Sequence, residues 1–212
     1  MLAGGLRPDG PAESGDLASF LGRAVGLDPA AVVRLRASGD RVAAYVRLPF
    51  GVLVSRTVGG SAEPADVTVG AADLLVALDA GGSIGWPARR DVEFRAALPP
   101  AGGWVPLDSV PGDVIRALVR AGRDALRAVP TGSAAAAGES LLDHESLTVS
   151  GAGRTAVLPL RVVSALTRMG FLGGDPAADA VVVSATSGWT RLAAPFGSAY
   201  QHTVPALGLS PR

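Results

Sequence analysis

The sequence predicts an α+β protein of two related helix-plus-three-strand antiparallel units, βαβββ-like in order, joined by a Pro/Trp-rich strap and a long helix. Three observations lead there. Short runs of alternating apolar residues are closed by turn signals at Ser38-Gly39-Asp40 and Pro49-Phe50-Gly51. The second turn recurs as Pro195-Phe196-Gly197, again after a helix and a Ser-Gly turn, here Ser187-Gly188. Between the two sets, Ile115, Leu118, Val119, Gly122, Leu126 and Val129 form one helical stripe.

The elements follow in chain order. Residues 1–15, small and rich in Gly and Pro, read as a flexible tail. Residues 16–80 form an N-terminal α+β unit. Asp16 caps a helix whose Leu17, Phe20, Leu21 and Ala24 share a face, and Gly26 stops it. Strands then follow at 31–37, 41–48 and 52–58, where Val33 and Leu35 alternate with Arg34 and Arg36. Val67-Thr68-Val69 is a further short strand, and 71–78 a short helix. Residues 81–112 hold Pro87, Pro99, Pro100, Pro106 and Pro111 together with Trp86 and Trp104; this is the strap, its tryptophans laid against a domain. Residues 113–130 are the connecting helix, ended by Pro130. Residues 131–212 form the C-terminal α+β unit. A small-residue linker opens it, followed by a short helix at 139–144, strands at 147–150 and 156–158, and a helix at 161–169. Strands at 181–185, 190–193 and 198–204 complete it.

The repeat pairs 16–58 with 160–204. Gly26, Leu27 and Asp28-Pro29-Ala30 correspond to Gly170, Leu172 and Asp175-Pro176-Ala177, and Thr57-Val58 to Thr203-Val204. With the strand at 156–158, the second copy reads β-α-β-β-β, the unit order also found in DNA sliding clamps. That likeness concerns fold and implies no function. The C-terminal half also resembles a winged helix, with 161–169 as recognition helix and the following hairpin as wing. Its charge speaks against DNA reading: residues 131–212 hold five arginines against five acids.

Composition excludes several chemistries. The chain has no Cys, so disulfides and thiolate catalysis are ruled out. It has no Lys either, which removes Schiff-base chemistry and a Walker lysine. Nineteen basic residues balance nineteen acidic ones, which argues against a polybasic arm. No apolar run reaches the roughly 18–20 residues of a membrane helix, and Met1 to Pro8 lack the pattern of a signal peptide. A cytoplasmic location is expected, with no membrane partner.

Gly151-Ala152-Gly153-Arg154-Thr155-Ala156 matches a dinucleotide-loop pattern, but Val157-Leu158-Pro159 follows in place of a helix, so it reads as a hairpin. His144 lies between Asp143 and Glu145, side chains that diverge on a helix, and His202 is the only other histidine. No serine sits in a nucleophile elbow. No catalytic residue, metal ligand or cofactor is therefore assigned. The specific signal is Arg116, Arg120, Arg123 and Arg127, which lie within an arc of about 60° on the connecting helix. They are the candidate docking face for an anionic partner; the alternatives are a solvated helix face, or one that pairs with acids elsewhere in the fold such as Asp91 and Glu93.

Leu48-Pro49-Phe50-Gly51-Val52-Leu53-Val54, Pro87-Ala88-Arg89-Arg90-Asp91, Leu166-Thr167-Arg168-Met169-Gly170-Phe171 and Arg191-Leu192-Ala193-Ala194-Pro195 together resemble a family of uncharacterised actinobacterial proteins. That resemblance implies no activity or ligand. The reading is a non-catalytic binding or adaptor protein whose partner is another protein or an anionic ligand. A nucleic-acid-binding regulator is the alternative, and a small enzyme the second alternative.

Overall fold

The structure, a computed structural model, describes residues 4–79, 84–128, 130, 134–175 and 179–203. Val129 of the expected helix, linker residues 131–133, and Pro176, Ala177 and Val204 of the expected repeat lie outside them. Two compact units are present. The first comprises 1–97 with 165–171 and 196–198, and the second 98–164, 172–195 and 199–212.

The first unit runs β1 (Gly5–Pro8), α1 (Pro11–Leu27), β2 (Val32–Ser38), β3 (Arg41–Arg47), β4 (Leu53–Ala62), β5 (Asp66–Gly70), α2 (Ala71–Asp79) and β6 (Ile84–Gly85). The sheet order is β5-β2-β3-β4, antiparallel throughout. Strand alternation decides which face is buried. Val33, Leu35, Val42, Ala44, Val54 and Val58 lie under Leu17, Phe20 and Leu21 of α1 and Leu74 of α2, all almost without exposure. Arg34 and Arg36 stay on the opposite face, where both reach Asp66.

Residues 5–15 differ from the expected tail. β1 pairs with both β4 and β6, and Leu6 is fully buried. α1 starts at Pro11, whose missing N–H costs nothing in a helix's first turn. Asp16 is thus no cap. It lies within the helix and pairs with Arg56. Beyond Gly85, Asp91–Glu93 form a 3-10 turn that Asp91 fixes by accepting from the Thr68 N–H at 2.8 Å.

The rest of the chain runs β7 (Val105–Pro111), α3 (Gly112–Arg127), α4 (Ala134–Asp143), β8 (Glu145–Gly151), β9 (Arg154–Pro159), α5 (Leu160–Arg168), β10 (Ala180–Ala185), β11 (Trp189–Ala194) and β12 (Gly197–His202), and it forms the second unit except for 165–168 of α5 and 197–198 of β12, which belong to the first. Its sheet order is β12-β11-β10-β7, and β8-β9 form a separate hairpin. The expected strap at 81–112 therefore ends in a strand, since β7 pairs with β10 along its whole length. Pro106 and Pro111 hid it in the sequence. Both are tolerated because β7 is the outermost strand of this order, and the ladder shifts register beside Pro106. Trp86 and Trp104 are partly buried. Their indole N–H groups donate to the carbonyls of Glu63 at 2.7 Å and Pro100 at 3.2 Å.

α5 is no recognition helix. Leu160, Val162, Val163, Ser164, Ala165 and Leu166 are all buried, Arg161 pairs with Asp143 at 2.6 Å, and Arg168 lies over the Phe50 ring at 5.3 Å. A helix buried this fully has no face left for a groove. The winged-helix reading of the C-terminal half is corrected accordingly. The Gly151–Ala156 stretch is a hairpin, with φ of 49° at Ala152 and 71° at Gly153, as a two-residue type I′ turn requires.

Candidate functional site

α3 follows β7 directly. Asp113 sits in its first turn and Arg127 in its last, an order that suits the helix dipole. Ile115 and Gly122 are the points of close packing. A Leu160 methyl fills the space where a Cβ at Gly122 would stand, so the glycine lets the two approach closely. Leu118, Val119 and Leu126 remain half-buried.

The four arginines of the stripe do not behave alike. Arg116 bends back into the unit. Its Nη2 donates to the Gly173 carbonyl at 2.5 Å and to the carboxylate of Asp179, a residue only 3% exposed. Asp179 also accepts the Gly173 N–H at 2.7 Å. Arg116 thus belongs to a partly buried ion pair that anchors the loop before β10. Arg120, Arg123 and Arg127 are exposed. Arg127 meets Asp124 at 3.2 Å, both largely in solvent, while Arg120 and Arg123 have no carboxylate partner among the described residues. The three guanidinium groups span about 10 Å of helix axis. Asp91 and Glu93, considered as partners for the stripe, are engaged by Arg89 and Arg90 at 2.7 and 2.5 Å.

Beside this face the sequence reading missed a feature. α4 was expected as linker up to residue 138, because its alanine run carries no periodic signal. Its Ala137, Ser140 and Leu141 instead join Ala125 and Leu126 of α3, with His144, around a cleft of about 260 Å³. A cationic helix face with a small apolar cleft at its flank can hold an acidic group and an adjoining apolar side chain. The two histidines stand apart in role: His144 lines this cleft, and His202 stacks edge-on against Trp189 at 4.8 Å. Among the described residues no cluster of His, Asp and Glu could hold a metal ion, and no helix is long and apolar enough to cross a membrane.

Solved structures share the fold. The DNA polymerase sliding clamp from Bacillus subtilis aligns with a TM-score of 0.59 at 12% identity, over 99% of this chain and 66% of that one. The clamp from Caulobacter crescentus gives 0.57 at 10%, over 100% and 69%. The DNA polymerase III subunit beta from Pseudomonas aeruginosa gives 0.56 at 13%, over 98% and 66%. The chain thus spans about two thirds of the length of these proteins. Identity this low shows a sliding-clamp-like fold and nothing of activity. No curated protein matches. A family model described as a domain of unknown function, DUF8010, matches residues 1–102. A second, the domain of unknown function DUF8185, matches residues 99–206, just over half of the chain, and the chain belongs to that family.

Proposed function

We propose that the protein is a non-catalytic binding or adaptor protein that takes an anionic partner on the outer face of α3. One observation carries the reading: Arg120 and Arg123 project into solvent with no carboxylate partner among the described residues, Arg127 beside them. Charged side chains held at fixed helical spacing act as a multidentate receptor for carboxylate or phosphate. An acidic protein segment is the favoured partner, because the adjoining α3–α4 cleft offers an apolar floor that a phosphate backbone would not use.

The related solved structures are named as DNA polymerase sliding clamps, and duplex DNA is the second reading. Against it, α1 carries Glu13 and Asp16 to a single Arg23, and α2 carries Asp73 and Asp79 with no basic residue. The same proposal takes α1-β2-β3-β4 and α5-β10-β11-β12 as copies of one helix-and-three-strand unit, with the domain bounds read from the sequence as amended by β1, α1 and β7. It also places the protein in the cytoplasm, which cell fractionation tests.

Fluorescence anisotropy with labelled poly-glutamate and with a labelled DNA duplex, at low and high salt, tests the site. Poly-glutamate is expected to bind the parent and to lose affinity for Arg120→Gln/Arg123→Gln, the difference shrinking as salt screens the charges. Equal binding by parent and variant overturns the proposal. Tight duplex binding whose salt slope falls by about 1 per arginine removed selects the DNA reading.

A further inference from the structure

We propose that the open edge of β9 receives an extended peptide segment of a partner protein, acidic at the end beside Arg154 and basic at the end beside Glu145. This stands apart from the arginine face of α3 and does not depend on it.

The hairpin's register sets which backbone groups are free. Its two-residue turn makes Gly151 and Arg154 the closing hydrogen-bonded pair. Bonded and non-bonded pairs then alternate, so Ser150–Thr155 and Thr148–Val157 are non-bonded pairs. The N–H and C=O of Thr155 and Val157 accordingly point away from β8, and β9 has no second strand beside it among the described residues. At the turn end β7 lies close against the hairpin, since a Cβ at Gly151 would run into the Leu107 carbonyl.

The open edge faces a cleft of about 860 Å³ that Thr186, Thr190, Gln201 and Thr203 also line. Gln201 Oε1 is buried with no hydrogen-bond donor among the described residues. β9 is six residues long, a length of edge that one short peptide strand covers. Unpaired edges are commonly blunted by proline or charge, and here Arg154 and Pro159 stand only at the ends. The charges at those ends set the occupant's polarity. Arg154 at the turn and Glu145 at the opposite end are exposed and form no ion pair among the described residues. An acidic residue meets the first and a basic residue the second.

Selection of a phage-displayed random peptide library on the full chain tests this. The recovered peptides should carry an acid and a base at opposite ends and slow amide exchange at Thr155 and Val157. Val157→Pro deletes an N–H that the hairpin does not use, so the variant should fold yet bind the selected peptides at least about tenfold more weakly. Arg154→Glu, an exposed substitution, is the second variant and should weaken binding in proportion to the acidity of the peptide end. Any one of four results overturns the proposal: no peptide recovered, unchanged exchange at both amides, binding untouched by Arg154→Glu, or protection of the same amides by a second copy of the chain as its concentration rises.

Discussion

Arg116 and Arg120 stand one helical turn apart and carry the same charge, yet the fold uses them in opposite ways. Arg116 neutralises Asp179 inside the second unit, whereas Arg120 meets no carboxylate among the described residues. Arg116→Gln is therefore expected to destabilise by about 2–4 kcal/mol, the partial exposure of the guanidinium holding it below a fully buried pair. Arg120→Gln and Arg123→Gln should each stay within about ±0.5 kcal/mol. Urea melts of the three variants give the contrast, and equal effects would show that Arg116 is solvated like its neighbours. In the first unit, Arg34 donates to both oxygens of Asp66 at 2.8 and 2.7 Å. Those bonds, opposed by desolvation and assisted by the nearby charges of Arg34 and Arg36, hold the Asp66 carboxyl below its ordinary value. A lowered folded-state pKa makes the pair's contribution fully present above the unfolded value of about 3.9 and lost as pH falls through the lower folded value. Both side chains are part-exposed, so the contribution is under about 1 kcal/mol. Arg34→Gln should flatten the stability profile below about pH 4 and leave its shape at neutral pH unchanged.

At the scale of elements, α5 shows how local chemistry ends a helix and hands the chain on. The N–H of Phe171 bonds the Leu166 carbonyl at 2.9 Å and that of Gly170 the Thr167 carbonyl at 3.1 Å, with Gly170 at φ 62°. Only glycine takes that conformation without strain, and an added Cβ would also press on the Arg23 guanidinium. Gly170→Ala should cost about 1–2 kcal/mol, read as a lowered thermal midpoint; an unchanged midpoint would mean that the cap contributes nothing. The sequence placed the end of this helix at 169. The meander β2-β3-β4 and the helices α2 and α3 were legible too, each written in an apolar period. Three elements were not. β1 holds a single strong apolar residue, Leu6, and forms only because β4 and β6 supply partners far along the chain. β7 is interrupted by prolines that an outermost strand tolerates. α4 is an alanine run with no stripe. For the candidate site, helical spacing placed the four arginines on one arc, but the withdrawal of Arg116 depends on Asp179, which no local pattern links to it.

For the whole molecule, the two family matches meet at residues 99–102, which suggests two consecutive domains. The compact units divide otherwise. The first draws 165–171 and 196–198 from the C-terminal match. Phe171, 2% exposed, stacks on Phe20 of α1 with ring centroids 6.2 Å apart, and Leu166 and Met169 are buried as well. The Phe196 N–H donates to the Phe171 carbonyl at 3.0 Å, and the Phe171 ring occupies the space where a Cβ at Gly197 would stand. The core of the first unit is thus closed by chain from the C-terminal family match. Truncating Phe171 to Ala should cost about 3–5 kcal/mol, as for other large buried aromatics. Removing the whole segment exposes Phe20 and the apolar flank of α1 together, a larger loss than a small domain's margin of about 5–15 kcal/mol easily absorbs. A fragment of residues 1–102 is therefore expected to keep strand and helix content but to lack a cooperative melt and to bind a hydrophobic dye. Mixing it with residues 99–212 should restore the cooperative transition, because the second fragment returns Leu166, Met169 and Phe171 to the first. A 1–102 fragment that melts cooperatively at the midpoint of the full chain would show instead that the N-terminal match is a self-sufficient domain and that its C-terminal plug is dispensable.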